Sequence, residues 1–410
     1  MEPTKGANRA LALSTIAFAV SFAVWGLLAG LAPIFKQRYG LSATQVSLMV
    51  SIPVLLGSLG RLPMGLLADR KGAAPVMAGL LMVGALPAIA LAFANRYEHL
   101  VFGGFILGLA GTAFSVGVAM VSPWFPRERQ GFALGVFGAG NIGQSLAVFG
   151  GPLIAGSLGH SAPFLIFGAA SFIWGIALLA LAQPPPVARP KLSLSEALAP
   201  IRGEPLCWLL SLFYFLTFGG FVALGVYMPS LLKEVFQLAP TDAGARTAFF
   251  VILATSARPI GGVLSDRMGG ARVLAWALTL LAGFSLLLSV QEMAPFTVGA
   301  LGVACCLGLG NGAVFKLVPQ YFPDRVGTIT GLVGAAGGLG GFFPPLALGV
   351  FKDRLGVFWP GFILMSLFAV ACLMLDRRFL MGAASPSGST TDWSSKHDLS
   401  GSGTGRSTRQ

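Results

Sequence analysis

The stretch of sequence that decides the fold occurs twice: residues 60–76 read GRLPMGLLADRKGAAPV, and residues 257–273 read ARPIGGVLSDRMGGARV. Each copy carries one arginine, Arg61 or Arg258, eight residues before an Asp-Arg pair. The copies are 197 positions apart, and a second pair of segments, VSPWFP and VPQYFP, is separated by the same interval. An internal repeat of this length indicates a chain built from two similar halves.

The repeat lies in a strongly apolar chain of 410 residues, of which 55% are hydrophobic and 10% charged. A soluble domain carries about 25% charged residues. Twelve apolar runs are close to the roughly 20 residues that cross a ~30 Å hydrocarbon core. We therefore predict an all-α polytopic membrane protein with spans at 11–33, 46–67, 74–95, 100–121, 131–155, 161–182, 206–231, 246–265, 272–291, 295–318, 328–350 and 357–376.

The repeat also predicts the domain organisation. We expect a six-helix bundle over residues 1–182, a cytoplasmic linker over 183–205, and a second six-helix bundle over 206–379. Residues 380–410 are too poor in apolar side chains to fold, which predicts a disordered tail. This arrangement resembles the fold of the major facilitator superfamily, in which the substrate site lies between two six-span repeats near the middle of the membrane.

Lysines and arginines are more frequent in the loops on one side of this topology. Cytoplasmic loops carry an excess of these residues, so we expect both termini in the cytoplasm and the protein in the inner membrane of a bacterium. The net charge of +12 is then a signature of topology, and it does not predict a nucleic-acid partner. Lipid and a small anion are the expected partners, and we expect the protein to function as a monomer.

Arg61 and Arg258 are out of place in apolar spans. Eight helical residues lift each arginine about 12 Å above the Asp-Arg pair, close to the middle of the membrane. A charge at that depth costs from about 2.5 to more than 10 kcal/mol unless it is paired or hydrated. All fifteen acidic residues fall in loops, tails or span ends. An intramembrane salt bridge is therefore disfavoured, and we predict that the two arginines bind an anion from outside.

The guanidinium group narrows the choice of anion. It is planar, permanently charged, and presents a fork of donors that matches a planar oxyanion through two parallel hydrogen bonds. Nitrate, nitrite, bicarbonate and short carboxylates satisfy that geometry. Sulfate and phosphate are tetrahedral and usually divalent, so they fit less well.

Aromatic and amide side chains supply further candidates for the site. Tyr214 and Phe218 share one face of the seventh span, and Phe114 interrupts a run of small residues in the fourth. These rings either form the wall of an anion cavity or pack in the ordinary way, and the pattern leaves both alternatives open. Asn141 and Asn311 lie in glycine-rich runs, where each is either a donor to the anion or part of an interhelical hydrogen bond.

Two glycine-rich segments occupy equivalent places in the halves, GFALGVFGAGNIGQSLAVFGGP from residue 131 and GTITGLVGAAGGLGGFFPPLALG from residue 327. Small residues let helices approach closely and slide, which predicts packing and gating roles here. The glycines assigned to these roles are Gly138, Gly140, Gly143, Gly337, Gly338, Gly340 and Gly341. Lys316 lies near the cytoplasmic end of the tenth span, and we interpret it as a gate or snorkelling lysine in preference to a ligand.

The segments GLLADRKG and GVLSDRMGG resemble the loop motif of the major facilitator superfamily. In that superfamily the aspartate of the motif holds neighbouring helices at the cytoplasmic gate. The resemblance therefore implies gating roles for the two Asp-Arg pairs, Asp69-Arg70 and Asp266-Arg267.

The combination of LGRLPMG, SARPIGG and both glycine segments resembles the nitrate/nitrite porter family within that superfamily. The resemblance implies that Arg61 and Arg258 bind nitrate and that the ring of Phe114 stacks on it. It also implies site roles for Tyr214, Phe218 and Asn141. The second glycine segment departs from the family pattern because it contains no asparagine.

These features predict a secondary transporter that moves nitrate and nitrite by alternating access, with no enzymatic activity, cofactor or metal. Nitrate/nitrite exchange is favoured over nitrate–proton symport because no Asp, Glu or His lies in the core of a span. Carrying two unneutralised arginines through an empty occluded state is also costly. A nitrate–proton symporter, a carrier of another small monovalent anion such as a short carboxylate, and a transport-inactive sensor are the alternatives.

Overall fold

The computed structural model describes residues 6–185, 204–322 and 326–381. The side chains of residues 127–132 and 326–328 are not described, and neither are most of the predicted linker and nearly all of the predicted tail. In the described ranges the chain is almost entirely α-helical, as predicted.

Eleven helices in these ranges are long and apolar enough to cross a membrane, and a twelfth span consists of two segments. The prediction of twelve spans is confirmed. The spans are α1 Ala7–Tyr39, α2 Ala43–Leu59 with Arg61–Lys71, α3 Ala73–Leu91, α4 Tyr97–Trp124, α5 Ala133–Leu158, α6 Ala162–Leu181, α7 Pro205–Phe236, α8 Pro240–Met268, α9 Gly270–Leu287, α10 Met293–Tyr321, α11 Ile329–Leu355 and α12 Trp359–Met381.

The break in α2 is the main departure from the predicted spans, because the sequence predicted one continuous helix over 46–67. The two segments of α2 meet at an angle of 42° at Gly60, immediately before Arg61. Pro63 accounts for the break, since it has no N–H to donate to the carbonyl of Leu59 and its ring crowds that carbonyl. A methyl group on Gly60 would lie 2.8 Å from Thr112 Cγ2, so glycine also permits the close approach of α4.

The helices form two loop-bearing faces. We name the face on which the described chain begins and ends the terminal face, and the opposite one the distal face. On the distal face, ion pairs and hydrogen bonds join the first six helices to the last six. Lys36 of α1 forms an ion pair with Glu234 of α7, and Lys233 Nζ donates to Gln37 Oε1 over 2.9 Å.

A carboxylate at the end of α11 caps the start of α2 on the same face. The backbone N–H groups of Ala43 and Thr44 donate to the two oxygens of Asp353, over 2.9 and 2.8 Å. The same two helices also pack closely at a glycine. A methyl group on Gly349 of α11 would lie 2.1 Å from Ser47 Oγ in α2. The two sets of six helices are therefore packed together on the distal side of the bundle.

Candidate anion-binding site

The two central arginines meet at one aromatic ring. Arg61 begins the second segment of α2 and is 5% exposed, whereas Arg258 lies within α8 and is half-buried. Their Cζ atoms are 5.1 and 5.6 Å from the centroid of the Phe218 ring on α7. The fold thus brings together two cations that are 197 positions apart in the sequence.

The charges of these arginines are not neutralised by acidic side chains. In the described part of the chain neither guanidinium forms an ion pair with Asp or Glu, because the acidic residues there lie in loops or within five positions of a helix end. Arg61 Nη1 donates to the carbonyl oxygen of Gly334 in α11 over 2.6 Å. Arg258 Nη2 donates to the hydroxyl of Tyr214 over 3.0 Å.

Each guanidinium keeps a buried donor with no protein partner. The atoms are Nε of Arg61 and Nη1 of Arg258. A buried N–H without an acceptor costs about 1–3 kcal/mol, and more when the group is charged. The surroundings of both arginines therefore favour a bound acceptor with negative charge.

Aromatic rings form the remaining wall of this region. The Phe114 centroid on α4 is 5.5 Å from Arg61 Cζ, and the Tyr214 and Phe218 rings stack with centroids 5.0 Å apart and planes 3° from parallel. Contact with a ring face stabilises a buried cation by roughly 0.5–2 kcal/mol. These contacts offset part of the cost of burying the arginines and leave their charge available to an anion.

Phe315 of α10 belongs to the same cluster, and the sequence analysis missed it. Its ring lies 4.8 Å from that of Tyr214 and 6.3 Å from that of Phe114, between centroids. It stands six residues before the end of α10, nearer the terminal face than Arg258, which is ten residues before the end of α8. Its place four residues after Asn311 on one helix face was the only sequence signal.

The two asparagines differ in their surroundings. Asn141 Nδ2 donates to the carbonyl of Gly138 in its own helix over 2.7 Å, and its Oδ1 is buried without a partner. The Asn311 amide is fully buried, and the structure gives neither of its polar atoms a hydrogen bond. Neither side chain makes the interhelical hydrogen bond that was one alternative, so the donor role in anion binding stays a prediction.

The glycine segments make equivalent contacts in the two halves. A methyl group on Gly143 would lie 1.8 Å from the Ala19 carbonyl oxygen, and one on Gly340 would lie 2.1 Å from the Phe215 carbonyl oxygen. Likewise, a methyl group on Gly140 would meet the Phe18 ring at 2.5 Å, and one on Gly337 would meet Tyr214 Cδ1 at 2.2 Å. A larger residue at these crossings of α1 with α5 and of α7 with α11 would displace the neighbouring backbone or ring.

The other three glycines of these segments have varied surroundings. A methyl group on Gly338 would lie 2.3 Å from Ser58 Oγ and 3.4 Å from Arg61 Cζ, and one on Gly341 would lie 2.4 Å from Val222 Cγ1. Nothing lies within 4 Å of a methyl group on Gly138, so close packing does not explain glycine at that position.

Lys316 lies at the terminal face and forms an ion pair with Asp266, which joins α10 to α8. The side chains of Lys316 and Asp266 are 44% and 56% exposed, so this pair is in contact with water. Arg70 and Arg267 are exposed near the terminal ends of α2 and α8, and Asp69 is half-buried beside Arg70. These residues lie at the terminal ends of their spans, and the gating role stays a prediction.

Comparison with known proteins identifies the family. The sequence profile of the Major Facilitator Superfamily matches residues 14–345 and 210–401. The chain is 37% identical over 366 residues to the "Nitrite extrusion protein" of Bacillus subtilis, covering 89% of this chain and 92% of that one. It is 38% identical over 377 residues to the "Probable nitrate/nitrite antiporter NarK1" of Thermus thermophilus, covering 82% and 84%. It is 35% identical to the "Probable nitrate transporter NarT" of Staphylococcus epidermidis, covering 91% and 96%.

Solved structures agree with this result at the level of the fold. The human organic anion transporter MFSD10 superposes with a TM-score of 0.71 at 18% identity, over 91% of this chain and all of that one. A bacterial homologue of the lysosomal transporter Spinster, in an inward-facing and unoccupied conformation, gives a TM-score of 0.70 at 17% identity, over 94% of this chain and all of that one. The chain is therefore a multi-pass protein of the cell membrane that belongs to the major facilitator superfamily, in the group that contains these nitrate and nitrite carriers.

Proposed function

We propose that this protein is a secondary transporter that moves nitrate and nitrite across the cell membrane between its two central arginines. The observation that carries the proposal is the pair Arg61 and Arg258, which contact one ring, lack acidic partners and each keep a buried free donor. The names of three relatives all refer to nitrate or nitrite, and they support the same substrate class.

A planar monovalent oxyanion suits this arrangement. Its oxygens accept from the free Nε of Arg61 and the free Nη1 of Arg258, and its flat face stacks on an aromatic ring. The rings of Phe114 and Phe218 lie against the guanidinium groups and offer such faces. The site excludes most water, so each hydrogen bond to the anion is stronger than it would be at the surface.

We assign the external and cytoplasmic gates from the contacts that close the distal face. We place the terminal face in the cytoplasm of a bacterial cell, so that the ion pair of Lys36 with Glu234 and the Asp353 cap close the external side. The ring of Phe315, six residues before the terminal end of α10, lies on the cytoplasmic side of Arg258, and its centroid is 6.3 Å from that of Phe114. Release to the cytoplasm then requires these two rings to separate. The two six-helix repeats rock as units about the site in a monomer surrounded by lipid.

The coupling mode follows from the charges. Two arginines without an acidic partner repel one another when the site is empty, and one bound anion lowers that repulsion. The loaded carrier should therefore change conformation much faster than the empty one. We propose obligatory exchange of nitrate for nitrite, with nitrate–proton symport as the competing mode.

Two uptake assays in proteoliposomes test this function. We expect rapid uptake of labelled nitrate into nitrite-loaded vesicles without a pH gradient, and slow uptake into empty vesicles under an inward proton gradient. Fast uptake only in the second case would contradict exchange and leave nitrate transport intact. Competition by formate tests the substrate class. A carrier of carboxylates would lose most of its nitrate uptake when formate is present at the same concentration as nitrate. Vesicles with the Arg258→Lys variant provide the background rate.

A further inference from the structure

A small cavity lies on the distal side of Arg61. Its walls come from α1, α2, α4, α7 and α11, and the residues that carry the argument are Trp25, Gly57, Ser58, Arg61 and Gly111. Its volume is about 10 Å³, counted as the space available to the centre of a water molecule. That volume matches one water molecule, so the cavity is too small for a nitrate ion in this conformation.

Two buried N–H groups belong to side chains that line this cavity, and neither has a hydrogen-bond partner in the protein. They are Nε1 of Trp25 and Nε of Arg61, and both residues are 5% exposed. Glycines make room beside the indole, because methyl groups on Gly111 and Gly57 would lie 3.1 and 3.6 Å from Trp25 Nε1. The fold therefore leaves room beside the indole N–H, and both donors belong to side chains that line a space of limited size.

The position of the cavity along the membrane follows from its helices. α2 enters from the distal face at Ala43, so Gly57 and Ser58 lie about one turn closer to that face than Arg61. Val222, on the opposite wall, is one turn beyond Phe218 in the same direction along α7. An anion that leaves the arginine pair towards the distal face passes this cavity first.

We infer that the cavity is the closed form of an outer anion subsite, in which Trp25 Nε1–H and Arg61 Nε–H together bind one monovalent oxyanion. This inference rests on the proposed transport of nitrate and nitrite. Separation of α2 from α11 widens the cavity, because Gly338 of α11 forms the wall that faces Ser58. The Arg61 Nε–H is common to both sites, so an anion moving outwards exchanges the Arg258 donor for the Trp25 donor while it keeps this one.

The chemistry of the walls selects an anion. The indole N–H and the guanidinium N–H are donors only, and neither accepts a hydrogen bond. The Ser58 hydroxyl already donates to the Val54 carbonyl over 2.7 Å, so it is not an additional donor to the ligand. The remaining walls are the apolar side chains of Phe22, Val54 and Val222. A cation would find few acceptors here, whereas an oxyanion would satisfy both free donors.

Replacement of the indole by a phenyl ring tests the subsite. Trp25→Phe keeps an aromatic ring and removes only the donor and the second ring. We expect the KM for nitrate in nitrite exchange to rise about five- to tenfold, with kcat within twofold of the parent. Trp276→Phe is the matched control, because Trp276 is 56% exposed on α9 and should leave both constants unchanged. Equal KM values for the parent and Trp25→Phe would overturn the inference.

A cysteine at Ser58 provides a test that does not depend on the folding of a tryptophan variant. A membrane-impermeant thiosulfonate should modify Ser58→Cys from the distal side, and nitrate should slow that reaction at least fivefold while gluconate does not. The parent, with its four native cysteines, measures background labelling. Protection by gluconate as well as nitrate, or by neither, would overturn the subsite.

These results are separable from the proposed function. If the parent exchanges nitrate normally while the Trp25 and Ser58 variants show no effect, only the outer subsite is wrong. If the parent moves no nitrate, the proposed function and the subsite both fail.

Discussion

Arg61 and Arg258 come from two copies of one sequence, but the helices that carry them differ. α2 breaks immediately before Arg61, whereas α8 continues without interruption through Arg258. The copies differ at two positions around the break. The first copy has Gly60 at the break and Pro63 two residues after Arg61, while the second has Ala257 in place of Gly60 and its proline, Pro259, directly after Arg258.

The hydrogen-bond partners differ in a way that matters more for transport. Arg61 donates to the Gly334 carbonyl on α11, which belongs to the other half of the repeat. Arg258 donates to Tyr214 on α7, which belongs to its own half. The Arg61 bond must therefore change when the halves rock, whereas the Arg258 bond moves with its half. We therefore expect Arg61 to respond to conformation and Arg258 to hold the anion throughout the cycle.

Replacement of either arginine by lysine should have the largest effect on nitrate binding. Arg61→Lys and Arg258→Lys keep the charge but replace a planar fork by a single point donor. We expect both to lower nitrate affinity more than about tenfold, or about 1.4 kcal/mol. Arg61→Lys should be the worse of the two, because Arg61 is 5% exposed whereas Arg258 is only half-buried. Equilibrium binding of nitrate to the purified variants is the measurement, and affinities within threefold of the parent would contradict the two-arginine site.

A methyl group behind Tyr214 should have the second-largest effect. Gly337→Ala places a carbon 2.2 Å from Tyr214 Cδ1, so the ring that bonds Arg258 must shift. We expect exchange to fall about tenfold, measured in proteoliposomes at matched protein content. Gly331→Ala on the same helix meets nothing within 4 Å and should be active. Equal activity of the two variants would show that the position of Tyr214 is not critical.

Truncation of Phe114 should have a smaller effect, confined to the Arg61 side. Phe114→Ala removes the ring 5.5 Å from Arg61 Cζ and opens one side of the cluster. We expect a three- to tenfold loss of exchange with the protein still folded by thermal melting. Phe102→Ala is the control, because Phe102 lies in the same helix and is 70% exposed. Similar small losses in both variants would identify Phe114 as ordinary packing.

Removal of one hydroxyl should have the smallest effect, confined to the Arg258 side. Tyr214→Phe keeps the ring stacked on Phe218 and removes the acceptor of the 3.0 Å bond from Arg258. A hydrogen bond to a charged group contributes about 1.5–3 kcal/mol, and the bound anion itself compensates part of it. We expect nitrate affinity to fall about three- to fivefold. Tyr39→Phe, which removes a bond to Ala94 at the distal face, should leave the affinity unchanged.

The sequence predicted the twelve spans, the repeat and the two central arginines, because hydropathy and charge depth are local properties of the chain. It identified Phe114, Tyr214 and Phe218 as candidates for the site. Only the fold shows that these rings lie against the two arginines. The Gly334 carbonyl had no sequence signature, since every residue carries one. Phe315 was hidden among 32 phenylalanines. The break at Gly60 was missed because the apolar run continues across it.

The two attachments of α2 to α11 have a mechanical consequence. At its distal end α2 is capped by Asp353, and eighteen residues later, about 27 Å along the helix, Arg61 holds the Gly334 carbonyl. Hydrogen bonds thus join α2 and α11 at two points. The bend at Gly60 lies directly beside the inner contact, between Arg61 and Gly334. We expect substrate to compete for this inner contact, because an oxyanion that draws the Arg61 guanidinium towards itself weakens the bond to Gly334. Occupancy of the site should then loosen α11 from α2, so that binding of the cargo favours release of the helix that confines it.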